Sequence, residues 1–110
     1  MSEKRVEIFN EISAERLKQD VKWGEQNLPS VVPGLTPKEL SERYEIPTEE
    51  RGKKIYDHYA STGEQTFTDI AVEELTEVVG ALNEKDRREE LVQLAAVIVQ
   101  WIEAIDRNIK

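Results

Sequence analysis

Glu74 and Glu77 stand three residues apart in the stretch EELTE, and Glu90 and Gln93 repeat that spacing in EELVQ. Residues three apart on a helix share a face, with Cβ atoms about 5–6 Å apart. Two such pairs on adjoining helices would turn three carboxylates and an amide oxygen into one groove. Carboxylates gathered there repel one another, and a hard divalent cation relieves the repulsion. Mg²⁺ takes oxygen ligands, keeps several waters and is shared with substrate phosphates; Mn²⁺ can stand in for it. The chemistry this suits is attack of water on phosphorus, with the ion drawing off the developing charge. Glu73, beside the ligands but directed away from them, is placed to orient or deprotonate the water. The same spacing also arises on acidic, solvated helix faces, so spacing alone leaves both readings open. Gln93 favours the site. It sits inside a run that is apolar nearly all round, and a buried amide needs partners.

These residues need a helical hairpin to position them, and the stretch from Thr66 to Lys110 reads as one. Its second arm contains LVQLAAVIVQWI (Leu91 to Ile102), polar only at Gln93 and Gln100. A helix apolar on most sides belongs at the centre of a core. The run is too short for a bilayer, which needs about 20 apolar residues. Leu91, Leu94, Ala95, Ile98, Ile102 and Ile105 keep the rhythm of a helix rather than a strand. Asp86 is placed to cap this arm, with Glu89 as its box partner. The first arm starts at a Thr66 cap with Asp69 as partner. Phe67, Ile70, Ala71, Leu75, Val78, Val79 and Leu82 form its stripe. The tight polar turn Asn83–Asp86 makes the two arms antiparallel neighbours. One chain of 110 residues supplies few apolar neighbours for a central helix, so an oligomeric core is expected.

The remaining elements complete an all-α, antiparallel bundle of four to five helices in a single domain spanning residues 1–110. The first helix covers residues 3–23 and ends at Gly24. Val6, Phe9, Ile12, Leu17 and Val21 make its stripe, with Ile8 off it. Residues 24–36 form a loop punctuated by Pro29, Pro33 and Gly34. Thr36, Pro37 and Glu39 give a cap, a first-turn proline and a box partner for a short helix to about Tyr44. Pro47 and Thr48 open another helix to about Ser61, with Ile55, Tyr56 and Tyr59 on its buried side.

Two further groups could contact a ligand. At the end of the first helix, Trp23 could stack on a nucleobase while Gln19, Gln26 or Asn27 meets its polar edge. The plainer reading is a solvated helix end with Trp23 packed on the core. Arg51, Lys53 and Lys54 form a basic cluster in an acidic protein. Lys53 and Lys54 could touch phosphate, or the cluster could simply balance Glu49 and Glu50.

Composition narrows the classes. The net charge of −8 argues against a nucleic-acid groove, which wants a basic face. A polyanionic ligand is compatible if cations accompany it. The absence of cysteine excludes disulfides and thiolate metal sites. The charged start, MSEKRVEIFNE, has no apolar signal core, which points to the cytoplasm, and no segment reads as a membrane span.

The order EELTE, a gap, then EELVQ in an apolar helix resembles the MazG-like superfamily of all-α nucleoside triphosphate pyrophosphohydrolases. That family's pattern is E-x-x-E, a gap of roughly a dozen residues or more, then E-x-x-D. Glu74 and Glu77 match the first pair and Glu90 the third acid. The segment ERLKQDVKWGEQN and the ending ELVQLAAVIVQWIEAI further resemble a small branch common in phages and bacteria. The resemblance covers residues 66–105, with weaker support from 12–27. It implies a helical bundle working as a homodimer or homotetramer with Mg²⁺. It implies hydrolysis of a (deoxy)nucleoside triphosphate to the monophosphate and pyrophosphate. Carried over, Glu74, Glu77 and Glu90 are metal ligands, with Gln93 at the fourth ligand position, and Glu73 is a candidate general base. Gln93 stands where the family has Asp. An amide oxygen can coordinate Mg²⁺ but brings no charge, which opens the alternative of a nucleotide-binding relative without turnover.

Overall fold

The computed structural model describes residues 2–108, and five α-helices account for its regular structure, with no strand among those residues. They are α1 (Glu3–Trp23), α2 (Pro37–Tyr44), α3 (Glu49–Thr62), α4 (Phe67–Gly80) and α5 (Glu84–Asn108). None is long and apolar enough to cross a membrane. The chain forms two compact units. One contains α2, α3, α4 and the first part of α5, within Pro29–Ile98; the other contains α1 and the part of α5 from Val99 on.

Local chemistry sets the helix starts. Ser2, Thr36, Thr48 and Thr66 each accept a hydrogen bond from the backbone N–H three residues on. These side chains satisfy amides that a helix leaves unpaired at its first turn. At Thr36 and Thr66 the reciprocal bond is also made, by Glu39 and Asp69. The start of α5 differs from expectation. Asn83, not Asp86, is its cap: the Asn83 Oδ1 accepts from the Asp86 amide at 2.8 Å, and its Nδ2 donates to the Asp86 carboxylate at 2.9 Å. Asn83 and Asp86 have the same spacing as Asp86 and Glu89, and asparagine caps as well as aspartate. The helix therefore begins one turn earlier.

In the four-helix unit, α4 packs against α2 and α3. Leu40, Thr76, Val78 and Arg87 are its buried side chains. The approach of α3 to α4 is closest at Gly52, where a Cβ would lie 2.9 Å from the Thr76 Oγ1 and 3.0 Å from its Cγ2. Thr76 cannot easily yield: it is 3% exposed and its hydroxyl donates to the Glu73 carbonyl at 2.6 Å. Gly52→Ala is therefore expected to destabilise the fold by roughly 1–3 kcal/mol, the usual cost of overpacking. Urea unfolding of the variant measures it, and an unchanged midpoint would rule out a tight seam there. A second close approach brings Glu49 to Gly80, whose Cβ would meet the Glu49 Oε1 at 2.9 Å. The loop before α2 is tied down at two points. Ser30 donates to the Glu84 carboxylate at 2.6 Å, and the Val32 amide donates to the Tyr44 hydroxyl at 3.3 Å.

In the other unit, Arg5 on α1 pairs with Glu103 on α5 at 3.3 Å. Ile8 is the buried residue of α1, at 2% exposed, although the sequence pattern leaves it off the stripe. The stripe residues Val6, Phe9, Ile12, Leu17 and Val21 are exposed instead. Periodicity defines a wide apolar face, and the chain covers only a strip along its edge.

The expectation of a central α5 also fails within one chain. Of the run Leu91–Ile102, Val99 is buried and Leu94, Val97, Trp101 and Ile102 are half-buried. Leu91, Val92 and Ile98 are exposed. Gln93 is exposed as well, so the demand of a buried amide for partners does not arise in the single chain. Tyr59, expected on the buried side of α3, is 37% exposed, while Ile55 and Tyr56 are half-buried.

Candidate functional site

The hairpin of α4 and α5 brings together the three glutamates whose spacing singles them out. Glu74 lies two turns before the end of α4, and Glu90 lies six residues into α5. At 1.5 Å per residue both stand about 9 Å from their ends of the turn, so they meet at one height. One carboxylate oxygen from each of Glu74, Glu77 and Glu90 lies within 4.8 Å of the others. All three side chains are half-buried. The Glu74 Oε2 and the Glu90 Oε2 are fully shielded from solvent and have no hydrogen-bond partner. A shielded carboxylate oxygen without a donor is costly, so this arrangement calls for a cation or a proton.

The protonation pattern supplies the second of these. Glu77 is pushed up to about 8, first by burial, then by its hydrogen bond with Glu90 and by the charges of Glu74, Glu90 and Glu73. Glu74 is also raised, by burial and then by the Glu90 charge, against a lowering hydrogen bond with Glu77. The cluster as a whole therefore favours keeping a proton near neutral pH, with Glu77 the most strongly raised. Glu73 is raised by burial and by the Glu74 and Asp57 charges, and is pulled down by Lys53.

Beside the cluster, an open cavity of about 330 Å³ is lined by five carboxylates, those of Glu49, Glu77, Asp86, Glu89 and Glu90, and by no lysine or arginine. A phosphate chain could enter such a space only with cations. Of the basic residues singled out on α3, Lys53 acts on Glu73, whereas Lys54 pairs with Glu50 on its own helix at 3.2 Å. Gln93 follows Glu90 by three residues on α5, on the same side of the helix, and is exposed.

Trp23 and Gln19 line a different cavity, of about 640 Å³, in the unit containing α1. Arg16, Asp20, Glu25 and Gln26 share its wall. Arg16 donates to Gln19 at 2.8 Å and to Asp20 at 2.8 Å. The Lys22 ammonium lies 5.0 Å from the Trp23 ring centre, and Trp23 is 52% exposed. The indole is therefore available for stacking rather than buried in a core.

Two residues near the acids were not picked out by the sequence. The charge of Asp57 on α3 helps to raise Glu73. Arg87 is buried at the turn of the hairpin. Neither belongs to a repeating pattern, and the signal for Asp57 lies only in the pairing of α3 with α4. For Arg87 a weak signal exists: it is a basic residue one helical turn before Glu90. Comparison of the chain with protein-family models, with curated proteins and with solved structures finds no match.

Proposed function

We propose that this chain is a nucleoside triphosphate pyrophosphohydrolase dependent on a divalent cation, Mg²⁺ or Mn²⁺. The observation that carries the reading is the convergence of Glu74, Glu77 and Glu90, two of whose oxygens are shielded and without a donor. The nucleotide substrate and the bond cleaved rest on the resemblance of EELTE and EELVQ to the MazG-like pattern. The products would be a (deoxy)nucleoside monophosphate and pyrophosphate.

The residues fit a cation. Three carboxylates supply hard oxygen ligands, and the cavity beside them keeps open positions for water and phosphate. When bound, the ion would supply charge stabilisation on the phosphate oxygens. Glu74, Glu77 and Glu90 would hold it, and Glu77 would give up its proton on binding. Glu73, raised above the usual carboxylate range, accepts the proton of the attacking water at a carboxylate oxygen. As the water oxygen bonds to phosphorus, the bond to the departing pyrophosphate breaks. Lys53, close enough to Glu73 to lower it, balances negative charge at that edge.

Trp23 and Gln19 are assigned to the base. The exposed stripe of α1 and the exposed Leu91, Val92 and Ile98 of α5 are assigned to contacts between copies of the chain, as a homodimer or homotetramer. Sedimentation velocity is expected to show no monomer at micromolar concentration. Leu91→Glu with Ile98→Glu should shift the chain to monomer, and a wild-type monomer would exclude this use of the faces.

One observation favours a second reading, a nucleotide-binding relative without turnover: Gln93 brings an amide where a fourth carboxylate would add charge. A thermal-shift screen of canonical and modified nucleotides, with and without Mg²⁺, separates the readings when followed by pyrophosphate detection. Hydrolysis predicts both stabilisation and pyrophosphate; binding alone predicts stabilisation without product. A broad panel giving neither would defeat both.

A further inference from the structure

Arg87 is 7% exposed, which is rare for an arginine, and its guanidinium is spent on the backbone of the preceding helix. Its Nε donates to the Val78 carbonyl at 2.9 Å and its Nη2 to the Ala81 carbonyl at 2.7 Å. Its Nη1 pairs with Glu84. Its own amide donates to the Asn83 carbonyl at 3.0 Å.

These bonds do a specific job. The last four carbonyls of a helix have no partner within it. Many helices solve this with a left-handed glycine whose amides fold back. Helix α4 has no such residue: Ala81, which follows it, is extended, at φ −60° and ψ 141°. Arg87 supplies two of the missing donors from across the turn. Its positive charge also lies at the negative end of the α4 dipole.

The bonded positions adjoin the acid cluster on both sides. Val78 follows Glu77 directly, and Arg87 precedes Glu90 by three residues, one turn along the same helix. The carboxylates of Glu74 on α4 and Glu90 on α5, brought together in one cluster, repel each other across the two arms. We propose that Arg87 is a positioning residue that fixes the register in which Glu90 meets Glu74 and Glu77 against that repulsion. The consequence for ion binding rests on the cation reading above, while the register itself does not.

The absence of cysteine makes the register measurable, because two introduced thiols can be labelled without background. Thr68 on α4 and Ala96 on α5 are exposed and stand at matching distances from the turn. Nitroxides on Thr68→Cys and Ala96→Cys, diluted into unlabelled chain, report the spacing of the arms by pulsed electron resonance. With Arg87 intact, one narrow distance is expected. Arg87→Met should broaden or shift it, and Arg87→Lys, which can keep one of the two carbonyl bonds, should fall between. Val78→Ala is the control: it removes buried volume and lowers the melting temperature, yet should leave the distance narrow. In parallel, Mn²⁺ affinity should fall roughly 10–100-fold in Arg87→Met and not in Val78→Ala, the range seen when residues supporting metal ligands are removed. An unchanged distance in Arg87→Met overturns the proposal, as does an altered distance with unchanged Mn²⁺ affinity. If the wild-type chain binds no Mn²⁺, the cation reading falls, and the distance alone decides the role of Arg87.

Discussion

Mg²⁺ or Mn²⁺ at about one hundred times its dissociation constant is expected to raise the melting temperature at pH 8 by roughly 10 °C or more. Ligand at that excess stabilises by about 2.7 kcal/mol, and each kcal/mol is worth about 4–8 °C in a small domain. At pH 5 the same ion concentration should do far less. The sign follows from Glu77, which is raised in the fold to about 8 from an ordinary value of 4.5. Between those values the folded chain binds a proton that the unfolded chain has lost. The stability this contributes is full below the unfolded value and is lost as pH rises through the folded one. Without ion, the melting temperature should therefore fall as pH climbs through that window. An ion must displace the Glu77 proton to bind, so its affinity rises over the same range. Differential scanning fluorimetry from pH 5 to pH 9, with and without the ion, reads both trends. A melting temperature indifferent to divalent ions at every pH would remove the cation from the site.

Glu77→Gln is expected to move stability and activity in opposite directions. Glutamine keeps the shape and can still hydrogen-bond to Glu74 and Glu90, but it cannot take on the repelling charge that Glu77 acquires as pH rises through about 8. Without ion at pH 8, the variant should melt higher than wild type by several degrees, since relief on the order of 1 kcal/mol is worth about 4–8 °C. Its pH trend between 4.5 and 8 should flatten, because the group responsible is gone. Pyrophosphate release should fall by roughly 10²–10³-fold, the usual loss when one stabiliser of transition-state charge is removed. The stabilisation by Mg²⁺ should shrink with it. General damage to the fold would lower both quantities, so the opposed signs are diagnostic. A variant that is both less stable and fully active would show that Glu77 serves packing alone.

Much of this arrangement was legible in the sequence because it is encoded over three or four residues. The boxes at Thr36 with Glu39 and Thr66 with Asp69 are local, and so is the glycine at 63 that ends α3 in the left-handed region. The convergence of Glu74, Glu77 and Glu90 was readable because a short polar turn makes two helices antiparallel neighbours, which puts acids at similar distances from the turn within reach of one another. The rest depends on choices between equivalent signals or on contacts distant in sequence. Asn83 and Asp86 offer the same cap chemistry one turn apart, and nothing local ranks them. Ile8 is buried and Phe9 is exposed because of what covers α1, which periodicity does not state. The burial assigned to Gln93 assumed that an apolar run covers itself within one chain. The burial of Arg87 has no local signal, because a charged side chain in a helix ordinarily faces water, and its partners lie across the turn.

The two helical glycines at which an added Cβ would meet a neighbour at 2.9 Å, Gly52 and Gly80, carry unequal evolutionary freedom. At position 80 the obstacle is the tip of a long glutamate, which can swing aside, so sequence drift to alanine there is open. At position 52 the obstacle is a short, branched side chain locked in the interior. Drift at 52 must wait for a smaller residue at 76. Positions 52 and 76 should consequently change together across descendants of this chain, while position 80 wanders alone.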